Sequence, residues 1–171
     1  MKMANFIDKT FVVLADILLQ ILPLDMKAKR AFLYYRAGLR AQDRGNYSEA
    51  LENYYESLRL EENPRDRSFA IANIGLVYIK TGKDRKALEY LYQALDLNSE
   101  LPQAYYHIGL IYHRQGTRAE LSDDSDERKL AKRLFDRAGV YWRKAVEIVP
   151  DLYMYAQNWL KVTGRSDRNS D

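Results

Sequence analysis

Three glycines at near-regular intervals, Gly38, Gly75 and Gly109, constrain this chain more than any other feature. They are separated by 37 and then 34 residues, the length of one helix-turn-helix repeat rather than of a strand or a domain. Seven residues after each comes another glycine, Gly45, Gly82 and Gly116, where a tight turn between two helices needs a residue free to adopt positive φ. Twelve residues after Gly38 and Gly75 stand Ala50 and Ala87, with Ser57 and Ala94 seven further on. Small side chains there let the two helices of a unit approach closely, while Tyr54 and Leu91 fill the adjoining groove.

The four prolines, Pro23, Pro64, Pro102 and Pro150, all fall between apolar-periodic stretches, where the missing N–H and the ring clash do no harm. No run of strict apolar-polar alternation is bounded by hairpin turn signals, so the chain reads as all-α. Cysteine is absent, which excludes disulfides, thiolate metal sites and thiol nucleophiles, and two histidines cannot build a zinc site of the usual kind. His107 and His113 lie about 120° apart around a helix, so they read as separate polar surface residues. The net charge of +3 comes from basic residues interleaved with acidic ones, a pattern that argues against nucleic acid as a partner. No nucleophile-base pair, phosphate loop or metal motif is present, so neither an enzyme, a cofactor nor a small-molecule substrate is expected. Tyrosine is the unusual component, with 14 against 5 Phe and 2 Trp. Its ring packs while its hydroxyl stays available, which suits half-buried faces and binding surfaces.

At these positions the chain resembles the tetratricopeptide family, through Tyr34, Gly38, Gly45, Tyr47, Ala50 and Tyr54, then Ile71, Ile74, Gly75, Tyr78, Gly82, Ala87 and Ala94. A third repeat begins with Tyr105, Ile108, Gly109, Tyr112 and Gly116 and resumes at Ala138, Trp142, Ala145 and Pro150, with about 17 extra residues between. The expected organisation is an apolar helix and basic linker over 1–30 and repeats over 31–64, 68–101 and 102–150. An insertion or helix extension occupies about 117–133, a capping helix 151–163 and a polar tail 164–171. Tyr155 and Trp159, at i and i+4, are the residues such a cap would use to close the last repeat.

The resemblance implies that the first helices of the repeats line a concave groove. The family's groove positions hold Tyr35, Leu39, Gln42 and Asp43, then Ala72, Leu76, Ile79 and Lys80, then Tyr106, Leu110, His113 and Arg114. The groove therefore reads as apolar and aromatic with a basic end at Lys80 and Arg114, fit for an apolar helix or extended peptide. Leucine beside each glycine disfavours a peptide carboxylate, which it cannot pair. Packing of the same leucines between repeats stays open as the other reading.

Residues 6–22 are apolar over most of a helical circumference, with Phe6, Phe11, Leu14, Leu18 and Leu22 among them. The stretch is too short to span a bilayer and carries Asp16 at its middle. No small-x-small cleavage site follows, so it does not read as a signal peptide. Packing on the first repeat, membrane-surface binding and partner docking remain three readings of it.

The segments Asn5-Phe6-Ile7-Asp8-Lys9-Thr10-Phe11, Gly45-Asn46-Tyr47-Ser48-Glu49-Ala50-Leu51 and Ala156-Gln157-Asn158-Trp159-Leu160-Lys161 carry a closer resemblance. Together with the inserted third repeat, they are similar to the photosystem I assembly factors of plastids and cyanobacteria. That resemblance implies a non-catalytic scaffold or chaperone, peripheral to the thylakoid on its stromal or cytoplasmic face, whose partners are photosystem I subunits and other assembly factors. It also implies synthesis inside the compartment where the protein acts, a plastid or a cyanobacterial cell, since no transit peptide is recognised. A general tetratricopeptide adaptor or cochaperone for an apolar peptide is the alternative.

Overall fold

The computed structural model describes residues 25–166. They form seven α-helices, α1 (Met26–Asp43), α2 (Tyr47–Leu60), α3 (Pro64–Lys80), α4 (Asp84–Leu97), α5 (Pro102–Glu120), α6 (Ser125–Ile148) and α7 (Met154–Val162). No strand occurs among the described residues. The helices pair as antiparallel hairpins, α1 with α2, α3 with α4 and α5 with α6, and each hairpin stacks on the next. The first helices also touch one another across the junctions, α1 with α3 and α3 with α5, so they form the tighter, inner side of the stack.

The helix limits have local causes. Gly45 and Gly82 sit at φ 76° and 74°, the left-handed conformation that reverses the chain after α1 and α3. Asn46 accepts from the Glu49 amide at 3.4 Å while its own amide group donates to the Glu49 carboxylate at 2.7 Å, a reciprocal arrangement that ties down the start of α2. Asn63 caps α3 through the Arg65 and Asp66 amides, with Pro64 in the first helical turn, where no N–H is needed. Asp124 does the same for α6 through Asp126 and Glu127.

Inside each hairpin the helix-1 glycine faces one large side chain. A methyl carbon on Gly38 would lie 2.5 Å from the Tyr54 ring, one on Gly109 2.4 Å from Trp142, and one on Gly75 3.0 Å from Leu91. Tyr54, Leu91 and Trp142 are fully buried, so the glycines mark places where a ring or branched chain presses on bare backbone. Two interior clusters run across the repeat junctions, and a third joins Trp142 to Ala156 and Leu160 of α7.

Gly116 departs from its expected role as a turn. It is buried within α5 with Phe135 of α6 against it, at 2.8 Å from a would-be methyl carbon. Seven residues further out on each helix, it repeats the contact of Gly109 with Trp142. The extra residues of the third repeat are therefore mostly helix: α5 continues to Glu120, α6 begins at Ser125, and only a short turn joins them.

Candidate partner-binding surface

The inner side of the stack presents the positions singled out in the sequence as a half-buried strip. Tyr35, Leu39, Leu76 and Ile79 are all half-buried, and Lys80 is exposed. Leu39 packs against the cluster of Ala41, Tyr54, Ile74 and Val77. Leu76 and Ile79 pack against the one that holds Ala72, Leu91 and Ile108. A side chain one residue or four residues past the helix-1 glycine therefore spends part of its surface on core and junction packing and only the remainder on solvent. Tyr35 is held similarly, its hydroxyl accepting from the Asn73 side-chain amide across the first junction at 3.0 Å. Burial pushes its pKa up, and the bond from Asn73 opposes that shift.

In the third repeat the corresponding residues, also half-buried, have α7 as their neighbour. Tyr106 and Leu110 pack against the Trp142, Ala156 and Leu160 cluster, and the Tyr106 ring stacks on Tyr153 with centroids 4.6 Å apart. The buried Trp142 indole donates to the Tyr106 carbonyl at 3.0 Å. His113, expected on the surface, instead lies among rings, 5.5 Å from Phe135, 5.2 Å from Trp142 and 5.4 Å from Trp159. Desolvation lowers its pKa, with Glu120 acting in the opposite sense. The short α7 thus stands where the first helix of a fourth repeat would, and its aromatic residues flank these positions. Tyr106, Leu110 and His113 belong to that seam.

The basic end of the strip is also weaker than charge counting suggests. Arg114 forms an ion pair with Asp84 at the start of α4, which leaves Lys80 as the exposed cation of the pair. His107, the other presumed surface histidine, is largely buried with Nδ1 lacking a hydrogen-bond partner among the described residues. Desolvation first, and the Lys80 ammonium second, pull its pKa down to about 4, so the ring is neutral at ordinary pH. Phe6, Phe11, Leu14, Leu18 and Leu22, the N-terminal candidates, lie outside the described residues.

A further set of residues escaped the sequence reading. At the first junction Tyr55 of α2, Tyr78 of α3 and Tyr90 of α4 come together, with the Tyr55 and Tyr90 hydroxyls 2.7 Å apart and the Tyr78 and Tyr90 rings stacked at 5.3 Å. At the second, Tyr92 of α4 shares hydrogen bonds of 3.0 Å with both Tyr112 of α5 and Tyr141 of α6. These are equivalent positions in successive repeats, and each triad carries a cation over the ring from the first helix. Lys86 lies 5.6 Å from the Tyr78 centroid and Arg137 5.1 Å from that of Tyr112. Writing the repeats in one frame reveals the pattern, because Tyr55 and Tyr92 recur at 37 residues and Tyr78 and Tyr112 at 34. Six of the fourteen tyrosines thereby tie neighbouring repeats together.

No helix of the described residues is long and apolar enough to cross a membrane, and no group of side chains among them could hold a metal ion. A family model described as TPR repeat matches residues 75–116. Among solved structures, the chain superposes on the first TPR of Spaghetti (RPAP3) bound to HSP90 peptide SRMEEVD. The TM-score is 0.59 at 18% identity, covering 81% of this chain and 94% of that one. It superposes also on a monomeric mutant of IFIT1 with Gppp-AAAA, with TM-score 0.61 and 20% identity, over 82% of this chain and 30% of that one. Both likenesses are of fold. Sequence likeness goes further: "Photosystem I assembly protein Ycf3" of Cyanophora paradoxa is 54% identical over 95% of this chain and 92% of its own. The proteins of that name from Rippkaea orientalis and Synechocystis sp. are 53% and 50% identical over the same shares. With identity at this level over nearly its whole length, the chain belongs to the family of the photosystem I assembly protein Ycf3.

Proposed function

We propose that this protein is a non-catalytic scaffold that binds photosystem I subunits and other assembly factors and promotes their assembly at the photosynthetic membrane. The observation that carries the reading is identity of 50–54% to relatives named for photosystem I assembly, over 95% of this chain. The fold supports it, because stacked helical repeats offer an extended surface for a protein partner. On this reading Leu39, Leu76, Ile79 and Lys80 of the inner strip, next to Tyr35, receive an apolar segment of a subunit. Tyr106, Leu110, His113 and Arg114 hold the end of that strip in shape. The N-terminal residues Phe6, Phe11, Leu14, Leu18 and Leu22 supply a second apolar contact, to a subunit or to the membrane surface. The protein acts peripherally on the stromal side of the plastid thylakoid, or on the cytoplasmic side in a cyanobacterium.

Depleting the protein in its host and restoring it from a plasmid tests this. Photosystem I reaction centres should fall selectively and recover on restoration, while photosystem II is spared. Unchanged photosystem I, or an equal loss of both, removes the proposal.

A further inference from the structure

The extended third hairpin and the short α7 enclose a cleft of about 460 Å³, within the range of about 300–1,000 Å³ usual for ligand sites. Its existence follows from the lengths of its walls. α6 begins at Ser125 and α5 runs to Glu120, whereas α7 has only nine residues and meets α6 through Trp159. Trp159 lies 6.1 Å from Phe135, and together the two rings form an aromatic floor.

The rim is basic, with Arg128, Lys132 and Arg165 against one carboxylate, Glu120. Two of the cations are held in place by the fold. Arg128 donates to the Ser122 and Asp123 carbonyls at 3.0 and 3.1 Å. Arg165 donates to Asp136 at 2.9 Å and lies over the Trp159 ring at 5.1 Å. Lys132 is exposed and has no ion-pair partner among the described residues.

We infer that this cleft is a second protein-binding site, which takes an acidic segment of a partner chain by seating an apolar or aromatic side chain on Phe135 and Trp159 and a neighbouring carboxylate against Lys132. Aromatic anchors concentrate binding energy at an interface, and the charges around them select the partner. The ammonium supplies a charge-assisted hydrogen bond and Arg128 adds to the local potential, whereas the Arg165 charge is met by Asp136. The cleft adjoins the end of the inner strip through His113, which lines it between Phe135 and Trp159, but Lys132 and the two rings lie outside the strip, so the site does not depend on which subunit the strip receives.

The probe is a synthetic pentapeptide, blocked at both ends, with phenylalanine at its centre and two carboxylate residues on each side. It is added to the full-length protein while the Trp159 indole N–H resonance is followed. The peptide should shift that resonance, and its counterpart with all four carboxylates replaced by amides should not. Lys132→Glu should weaken binding at least tenfold and Lys132→Arg should restore it. An unshifted Trp159 signal, equal binding by Lys132→Glu, or equal binding of the amide peptide overturns the inference. So does a Trp159 shift obtained with phosphatidylglycerol vesicles but not with the peptide, which would make the cleft a lipid site. The readout uses purified protein and a synthetic peptide, so its failure leaves the photosystem I proposal standing.

Discussion

A glycine's value at one position of this fold depends on what presses against it. Gly75 and Gly109 are equivalent, yet a methyl group on Gly75 meets Leu91 Cγ at 3.0 Å and the Ala87 carbonyl oxygen at 3.3 Å, contacts that a shift of a few tenths of an ångström relieves, whereas one on Gly109 meets the Trp142 ring at 2.4 Å. Trp142 is fully buried and its indole is committed to the Tyr106 carbonyl, so it has nowhere to retreat. Alanine gains roughly 1 kcal/mol of helix propensity over glycine, while overpacking a core costs about 1–3 kcal/mol. Gly75→Ala should therefore melt close to wild type and Gly109→Ala clearly below it; equal melting temperatures would show that the register is misassigned. His107 makes a second claim at this scale. Its folded-state pKa of about 4 lies below the unfolded value near 6.5. Unfolding therefore takes up a proton as pH falls through that window, and the stability present above pH 6.5 declines towards pH 4. His113, lowered in the same direction, adds to the decline. His107→Asn, which copies Asn73 of the preceding repeat, should flatten the dependence of melting temperature on pH between 7 and 5; an unchanged slope would place the titration elsewhere.

Among the elements, the hairpins were readable in the sequence because glycine against a large side chain is a contact between two neighbouring helices with a fixed spacing. The turn glycines Gly45 and Gly82 were readable for the same reason. Gly116 was not: spacing alone cannot separate a glycine that reverses the chain from one that admits a ring, and here Phe135 decides it. The tyrosine triads were missed because each draws on three helices of two repeats, a combination that no single helical period displays. Their contribution can be measured. Tyr92→Phe removes the hydroxyl shared with Tyr112 and Tyr141 and leaves the ring in place. At about 0.5–1.5 kcal/mol net for each hydrogen bond, the loss should be about 1–3 kcal/mol. Amide exchange should speed up in α4, α5 and α6 together, as expected when neighbouring repeats uncouple. Faster exchange confined to α4 would mean the triad does not join the repeats.

At the scale of the whole molecule, α7 packs against the third repeat at the C-terminal end of the described stack, and Lys80 is exposed on the strip. The groove residues were legible as a set because equivalent positions of stacked repeats align. Their half-burial was not, because it depends on how closely α1, α3 and α5 approach. The proposed role places photosystem I subunits on this strip. The most direct measurement is recovery of newly made photosystem I subunits with the tagged full-length protein, comparing wild type with Lys80→Glu and with Leu39→Ser combined with Leu76→Ser. Lys80 is exposed, so its variant tests the surface without disturbing the core; the leucine pair loses some packing, and its folding is read from its melting temperature. Subunits should co-purify with wild type and fall at least severalfold with both variants while each remains folded. Folded variants that recover the subunits as well as wild type would contradict the claim.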